Sequence, residues 1–467
     1  MLFSPQGLIR EEGAFSVPAH ALACGGEPLC KEVFGEMWQG FHHQMSTLAL
    51  TPTDENVFFI GEAEPIEVED GEYAIHVTEK GIAVTAKDSL GLIHGFFALL
   101  DRIRMADDEA GGTVIDCFTL RERPKMKNRM VHFCIFPETE LWELERFIRF
   151  AGALRFSHIV LEFWGMLRYD VMGELAWSHA YTKDEIRPLI ALARSLGLSV
   201  IPMFNHWGHA AASRVAHGKH VVLDQNPALA SYFSEDGWCW DIRRQKVRAL
   251  LRAVRRELCE LCGEGEYFHI GCDEAYSFDG TRESMDTVTD FINEVTTEMR
   301  AEGRRVIMWG DMLLYREAHF DPQNRYACLA RSSEAGKYLR DRLDRDIVIA
   351  DWQYDATHAP VETSKVFCDE GFDTLICPWD RSHENVQACL STAEEYDIFG
   401  VLHTTWHTLS TGMPAVALAA VGAYDGSDIP RRILRPAAAA FLRKVSFAGG
   451  VYEKAGFSKA QVGDIIP

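Results

Sequence analysis

No run of apolar residues in the 467-residue chain approaches the ~20 that a membrane-spanning helix needs. The start, Met1-Leu2-Phe3-Ser4-Pro5-Gln6, has neither the basic nor the apolar stretch of a secretory leader. Basic residues are in deficit: 47 Lys and Arg against 69 Asp and Glu leave a formal charge of -22, which argues against nucleic acid or an anionic membrane as the principal partner. The 12 cysteines lack the paired spacings of metal sites, and Cys134 and Cys377 fall inside apolar strand-like runs, where they read as reduced core thiols. A cytoplasmic protein with a neutral or weakly charged ligand is the expectation. A glycine-rich phosphate loop is missing, as is a Gly-x-Ser-x-Gly elbow, so nothing points to nucleotide binding or serine-hydrolase chemistry. No cofactor is expected, and what remains is the chemistry of carboxylates.

Hydrophobic residues make up 47% of the chain, enough to fill a large domain and a smaller one. From Val131 onward, apolar runs of strand length alternate with helical patterns, and about eight such strands begin near Met130, His158, Ser199, Tyr267, Arg305, Ile347, Thr374 and Gly400. The helix after the second strand opens with Thr182 and Glu185 at capping-box spacing and stops at Gly197. The helix after the third stacks Val247, Leu250, Leu251, Val254, Leu258 and Leu261 on one face and stops at Gly263. Repeated βα units of this number predict an α/β fold, a (β/α)8 TIM barrel, with an open doubly wound sheet as the competitor. A small α+β domain precedes it, with strand-like pieces at Val57 to Ile60, Tyr73 to Thr78 and Ile82 to Ala86, a helix from Gly91 to Arg104, and a polar turn from Asp107 to Gly112. The predicted division is 1–122 for the small domain, 123–445 for the barrel, and 446–467 for a tail packing on or near it.

The densest chemistry lies in Tyr267-Phe268-His269-Ile270-Gly271-Cys272-Asp273-Glu274, an apolar run that ends in glycine and then presents two adjacent carboxylates. Side chains alternate along a strand, so the two acids share a pocket only where the strand breaks into a loop, and Gly271 permits that break. At the C-terminal end of a parallel barrel strand they occupy the catalytic face. Other strand ends carry Asn205-His206-Trp207-Gly208-His209, Trp309-Gly310-Asp311, Trp352-Gln353-Tyr354, Pro378-Trp379-Asp380 and Thr405-Trp406-His407. Tryptophan at four consecutive strand ends, mixed with acids and histidines, forms the lining a sugar ring needs. His206 and His209 have the spacing of two metal ligands but no third ligand at a recognised distance. His42 and His43 read as surface or core residues. Glu162, inside the second strand, reads either as a buried structural acid or as a second tier of the site.

His269-Ile270-Gly271-Cys272-Asp273-Glu274 resembles the His-x-Gly-Gly-Asp-Glu signature of glycoside hydrolase family 20, the β-N-acetylhexosaminidases. Ile201-Pro202 followed by Gly208-His209 is similar to that family's third-strand segment, and Trp309, Trp352 and Trp406 to its tryptophan walls. The first domain resembles the small domain that precedes the family's barrel. The resemblance implies exo-acting, substrate-assisted, retaining hydrolysis of a terminal β-linked GalNAc or GlcNAc through an oxazoline intermediate, without a metal. Glu274 is then the general acid/base and Asp273 orients the acetamido group. Arg129, His209, His269, Trp309, Trp352, Tyr354, Trp379, Asp380 and Trp406 are the implied substrate-binding or positioning set.

Departures from the family pattern are specific. Cys272 replaces the signature's second glycine, and the first-strand acid is missing around Phe133 and Cys134. The second strand lacks the histidine-rich, acid-ending run. A Tyr-x-Asp pattern becomes Pro378-Trp379-Asp380, which makes Tyr354 the candidate for the missing tyrosine, and His407-Thr408 stand where a glutamate is usual. A preference for GalNAc is compatible with these changes. The rival readings are a non-catalytic carbohydrate-binding barrel, a metal-dependent hydrolase using His206, His209 and Asp273, and a glycosidase for a sugar without the acetamido group. A homo-oligomer whose neighbouring subunit completes a rim loop is also compatible with the sequence.

Overall fold

The computed structural model describes residues 2–5, 7–17, 22–24, 50–52, 57–105, 113–210, 223, 226–235, 237–406, 409–448, 451 and 455–456. His42, His43, His407, Thr408, the turn expected at 107–112 and most of the tail at 446–467 lie outside them.

Strands β1 (Leu8–Ser16), β2 (Leu22–Cys24), β3 (Leu50–Pro52), β4 (Val57–Gly61), β5 (Tyr73–Thr78), β6 (Gly81–Ala86), β7 (Arg104–Met105) and β8 (Thr113–Glu122) form one sheet. Its order is β1-β8-β5-β6-β4-β2-β3, with β7 pairing on β8. The alternation in β5 and β6 buries Ile75, Val77, Ile82 and Val84 against the helix Ser89–Leu100. That helix starts where the Asp88 carboxylate accepts the Gly91 N–H at 2.6 Å. It ends four residues earlier than its apolar pattern predicts. The N–H groups of Arg102 and Ile103 tighten onto the carbonyls of Leu99 and Leu100, and Arg104 leaves to pair with β8 and with the Asp116 carboxylate.

Eight parallel strands then close a barrel: β9 (Asn128–Cys134), β10 (His158–Glu162), β11 (Ser199–Met203), β12 (Tyr267–His269), β13 (Arg305–Trp309), β14 (Val348–Trp352), β15 (Thr374–Cys377) and β16 (Gly400–His403), with β16 pairing on β9. Both faces of each strand are covered, which is why the strands read as near-continuous apolar runs. The Thr182–Glu185 capping box is formed, and the helices it and the next unit predict end at Ser195 and Cys262, each followed by a glycine with positive φ. A further helix, Arg431–Ala448, follows the eighth unit and packs on helix Leu141–Ala153, partly through Phe441 on Phe150. It therefore runs three residues past the boundary expected at 445.

The barrel's interior is filled by Met130, Val160, Ile201, Met203, Ile307, Val348, Leu375 and Leu402, among others. Two residues further along their strands, the same inward-facing positions carry His132, Glu162, Asn205 and His269. The apolar plug thus gives way to a polar layer just below the C-terminal rim. Cys134 and Cys377 are buried free thiols. Among the described residues no helix is long and apolar enough to cross a membrane.

Candidate active site

After His269 the backbone turns sharply: Gly271, Cys272 and Glu274 all have positive φ, at 65°, 75° and 47°. For Cys272 and Glu274 this left-handed conformation is costly, about 1 kcal/mol or more each, and packing has to hold it. Several contacts do so. The Gly271 N–H donates to His269 Nδ1 at 3.0 Å, and the Glu274 N–H donates to Asp311 Oδ2 at 2.9 Å. The Glu274 carbonyl accepts from Trp238 Nε1 at 2.7 Å. Downstream, the Arg331 guanidinium pins the carbonyls of Tyr276 and Phe278, both at 2.6 Å. Two glycines are obligatory here. A Cβ on Gly208 would stand 1.8 Å from the Asp273 carbonyl oxygen, and one on Gly271 would stand 1.7 Å from Asn205 Oδ1.

The result is that Asp273 and Glu274 meet at one histidine nitrogen. His209 Nε2 lies 2.7 Å from Glu274 Oε2 and 3.5 Å from Asp273 Oδ2. The Asp273 side chain is 11% exposed and that of Glu274 26%, so the glutamate is the one that reaches the cleft. Trp238 covers the His209 ring, with centroids 4.5 Å apart. Asp311, 1% exposed, divides its two oxygens between the Glu274 N–H and the indole N–H of Trp352, the latter at 3.1 Å. Burial, then the nearby Asp273 charge, push the Asp311 carboxyl well above the usual range.

Aromatic rings complete the cup. Trp352 and Tyr354 lie 5.0 Å apart, Tyr354 and Trp379 5.1 Å, and Trp309 and Trp406 6.1 Å between centroids. The Tyr354 hydroxyl accepts from Trp406 Nε1 at 2.7 Å and lies 3.0 Å from Thr404 Oγ1. Desolvation pushes this phenol well above its ordinary pKa. Trp309 is only 1% exposed and packs at a tilt on His269, with centroids 4.3 Å apart, so it serves as floor rather than wall. His269, fully buried, supports that floor and the Gly271 turn. Below Trp406, His132 Nε2 lies 3.0 Å from Glu162 Oε2 and Asn205 Nδ2 donates to Glu162 Oε1 at 2.9 Å. Glu162 is therefore a buried, doubly held acid in the layer beneath the cup.

Three expectations need correction or extension. Arg129 does not reach the site. It is the second residue of β9 and points to the opposite end of the barrel, donating to the carbonyls of Arg155, Met126 and Lys127. Five residues of strand separate it from Cys134 at the rim, about 16 Å at the usual rise. Asp380 also lines a cavity with Arg431 and Arg435, and its Oδ2 would stand 3.8 Å from a Cβ on Gly412 of helix Leu409–Asp425, close to Thr405. His206 does not converge with His209. It is buried, its Nδ1 is 2.6 Å from the Phe204 carbonyl, and it sits among Phe268 and Phe291. Burial, then the Arg255 charge, hold it well below the usual histidine range. Among the described residues no group of three or more His, Cys, Asp or Glu side chains is placed to hold a metal ion. Asp311, Trp238 and Asn205 were not predicted as site residues; Asp311, in Trp309-Gly310-Asp311, and Asn205, in Asn205-His206-Trp207-Gly208-His209, each had a strand-end signal, and Trp238 had none.

Comparison with known proteins places these features. The chain is 22% identical to the lacto-N-biosidase of Bifidobacterium bifidum over 64% of its own length, and 27% identical to hexosaminidase D of Bos taurus over 34%. It spans 27% of the first protein and 48% of the second. The crystal structure of Flavobacterium johnsoniae chitobiase superposes with a TM-score of 0.67 at 16% identity, covering 99% of this chain and 74% of that one, which is a likeness of fold. The model of the glycosyl hydrolase family 20 catalytic domain matches residues 160–406, from within the second barrel strand to Trp406. The match leaves out the strand that carries Arg129 but takes in Asp273, Glu274, His209, Tyr354 and every tryptophan of the cup, so the protein belongs to glycosyl hydrolase family 20.

Proposed function

We propose that the protein is an exo-acting β-N-acetylhexosaminidase that removes a terminal GalNAc or GlcNAc with retention, the substrate's own acetamido oxygen being the nucleophile. The observation that carries this reading is the pair of unequal carboxylates on one His209 nitrogen inside an aromatic cup. Glu274, the more exposed, protonates the departing oxygen and later takes a proton from the water that opens the oxazoline. Asp273, more buried, faces the acetamido N–H and stabilises the positive charge that develops as the ring closes. Tyr354 turns its hydroxyl proton to the acetamido oxygen, while Trp406 and Thr404 fix the phenol from behind. The cytoplasmic location expected from the sequence belongs to the same proposal and is checked by cell fractionation.

A panel of aryl glycosides tests the activity. Hydrolysis of the aryl β-N-acetylgalactosaminide, the aryl β-N-acetylglucosaminide or both is expected, with aryl β-galactoside and β-glucoside inert. Asp273→Asn should lower kcat/KM on the N-acetyl substrates by about a hundredfold, because an amide cannot supply the charge. Equal hydrolysis of acetylated and non-acetylated glycosides would overturn the acetamido mechanism. Geometry is tested separately by Gly208→Ala. The added methyl must push the Asp273 backbone aside, and a displacement of that kind costs about a hundredfold in kcat/KM on the same substrate. A circular dichroism spectrum and a cooperative melt like the wild type's would show that the loss is local.

A further inference from the structure

A cavity of about 270 Å3 opens beside Glu274, walled by Tyr276, Trp352 and Tyr354 and also by Arg316, Arg325 and Arg381. Arg316, Arg325 and Tyr326 also line a second cavity of about 410 Å3, whose lining includes Phe320, a ring 80% exposed to solvent. Arg381 is matched by Asp355 at 3.0 Å. The guanidinium groups of Arg316 and Arg325 make no hydrogen bond or ion pair with any described residue. Several arginines elsewhere on this acidic chain are matched: Arg248, Arg252 and Arg255 pair with Glu294 and Glu298, and Arg300 pairs with Asp344 and Asp346. An exposed arginine needs no partner but water. What distinguishes these two is their position on the wall of the cavity that holds the general acid, in a molecule whose overall charge of -22 repels anions.

We infer that the leaving-group side of the cleft takes a sugar or conjugate bearing a negative charge, a carboxylate, sulfate or phosphate, bound by Arg316 and Arg325. The inference rests on the proposed glycosidase reading and adds the class of leaving group. A guanidinium presents paired N–H donors that match the planar or trigonal oxygens of such a group, and Tyr276 offers a ring beside it for the sugar face. The loop from Arg316 to Arg325 follows β13, so it is placed by the same strand end that provides Trp309 and Asp311.

The test compares an N-acetylhexosaminyl-β-1,4-glucuronate disaccharide with the corresponding β-1,4-glucose disaccharide, which differ only in the carboxylate, using both N-acetyl epimers. The wild type is expected to favour the glucuronate by about tenfold in kcat/KM at low salt, with the preference shrinking as ionic strength rises. In Arg316→Ala/Arg325→Ala the ratio should fall to about one, and in Arg316→Lys/Arg325→Lys it should be partly kept. The ratio is internal to each protein and so is independent of any change in overall rate. A 6-phosphorylated and a 6-sulfated glucose disaccharide distinguish which anion is preferred. No preference for any anion, or a preference that survives the double alanine variant, would overturn the inference. Calorimetric titration of the same sugars into the Glu274→Gln protein reads the preference without turnover. A protein that binds the anionic sugars selectively yet hydrolyses none would fail the glycosidase reading alone.

Discussion

Glu274→Gln is expected to lower kcat/KM for a 4-methylumbelliferyl β-N-acetylhexosaminide by about a thousandfold, the range a positioned general acid supplies. The substitution changes one atom. An amide still reaches His209, the Glu274 N–H still donates to Asp311, and the Glu274 carbonyl still accepts from Trp238, so the left-handed turn is held as before. What is lost is the transferable proton. The size of the loss must therefore depend on how much the leaving group needs that proton. For a 2,4-dinitrophenyl glycoside, whose phenolate leaves unaided, the loss in kcat/KM should shrink to about tenfold, because this ratio reports events only up to departure. Equal losses for both leaving groups in a folded variant would remove Glu274 from the acid role, since a purely structural defect would not distinguish them.

The barrel was legible because a parallel strand buried on both faces leaves an unbroken apolar run, and all eight starts were read within two residues of their observed positions. β1 was missed for the converse reason. Five consecutive positions, Ile9 to Gly13, are exposed, and three of them are charged, so the segment carries no apolar signal; pairing with β8 makes it a strand. At the site, residues on the strand that delivers the acids were legible because chain proximity and spatial proximity coincide there. Arg129 shows the limit. Its strand was identified with a start near Met130, which already sets Arg129 at the N-terminal end of a parallel strand, opposite the catalytic face; only the family resemblance had drawn it to the site. Trp238 was illegible for a different reason: it reaches Glu274 from a segment 36 residues away that has no strand end to announce it. Asp311 was visible in sequence yet unassigned, since its role is to fix a backbone N–H and an indole rather than to touch a sugar.

Arg129 leads to the second large effect, at the face of the barrel opposite the acids. There the two domains are joined by buried polar groups. Glu122, the last residue of β8, accepts from Tyr73 and, at 3.3 Å, from Arg155 Nη1. The Arg155 guanidinium lies 4.0 Å from the Phe3 ring and 4.8 Å from Tyr424, and its backbone carbonyl accepts from Arg129. Tyr73 and Arg155 are each 1% exposed and Glu122 7%, so water cannot take over for a missing partner. Arg155→Met keeps the volume and the same Cβ at a φ of 63°, so backbone strain cancels in the comparison. It leaves Glu122 buried without its counter-charge, and the expected cost is about 3–5 kcal/mol of unfolding free energy in a urea titration, a large fraction of a typical domain's stability. Glu122→Gln in the same background should recover part of that loss by removing the stranded charge. Simple additivity of the two substitutions would show that the pair is not coupled and that the junction rests on ring packing alone. Because the junction lies at the N-terminal end of the strands, kcat/KM of Arg155→Met measured well below its unfolding transition should stay within about twofold of wild type.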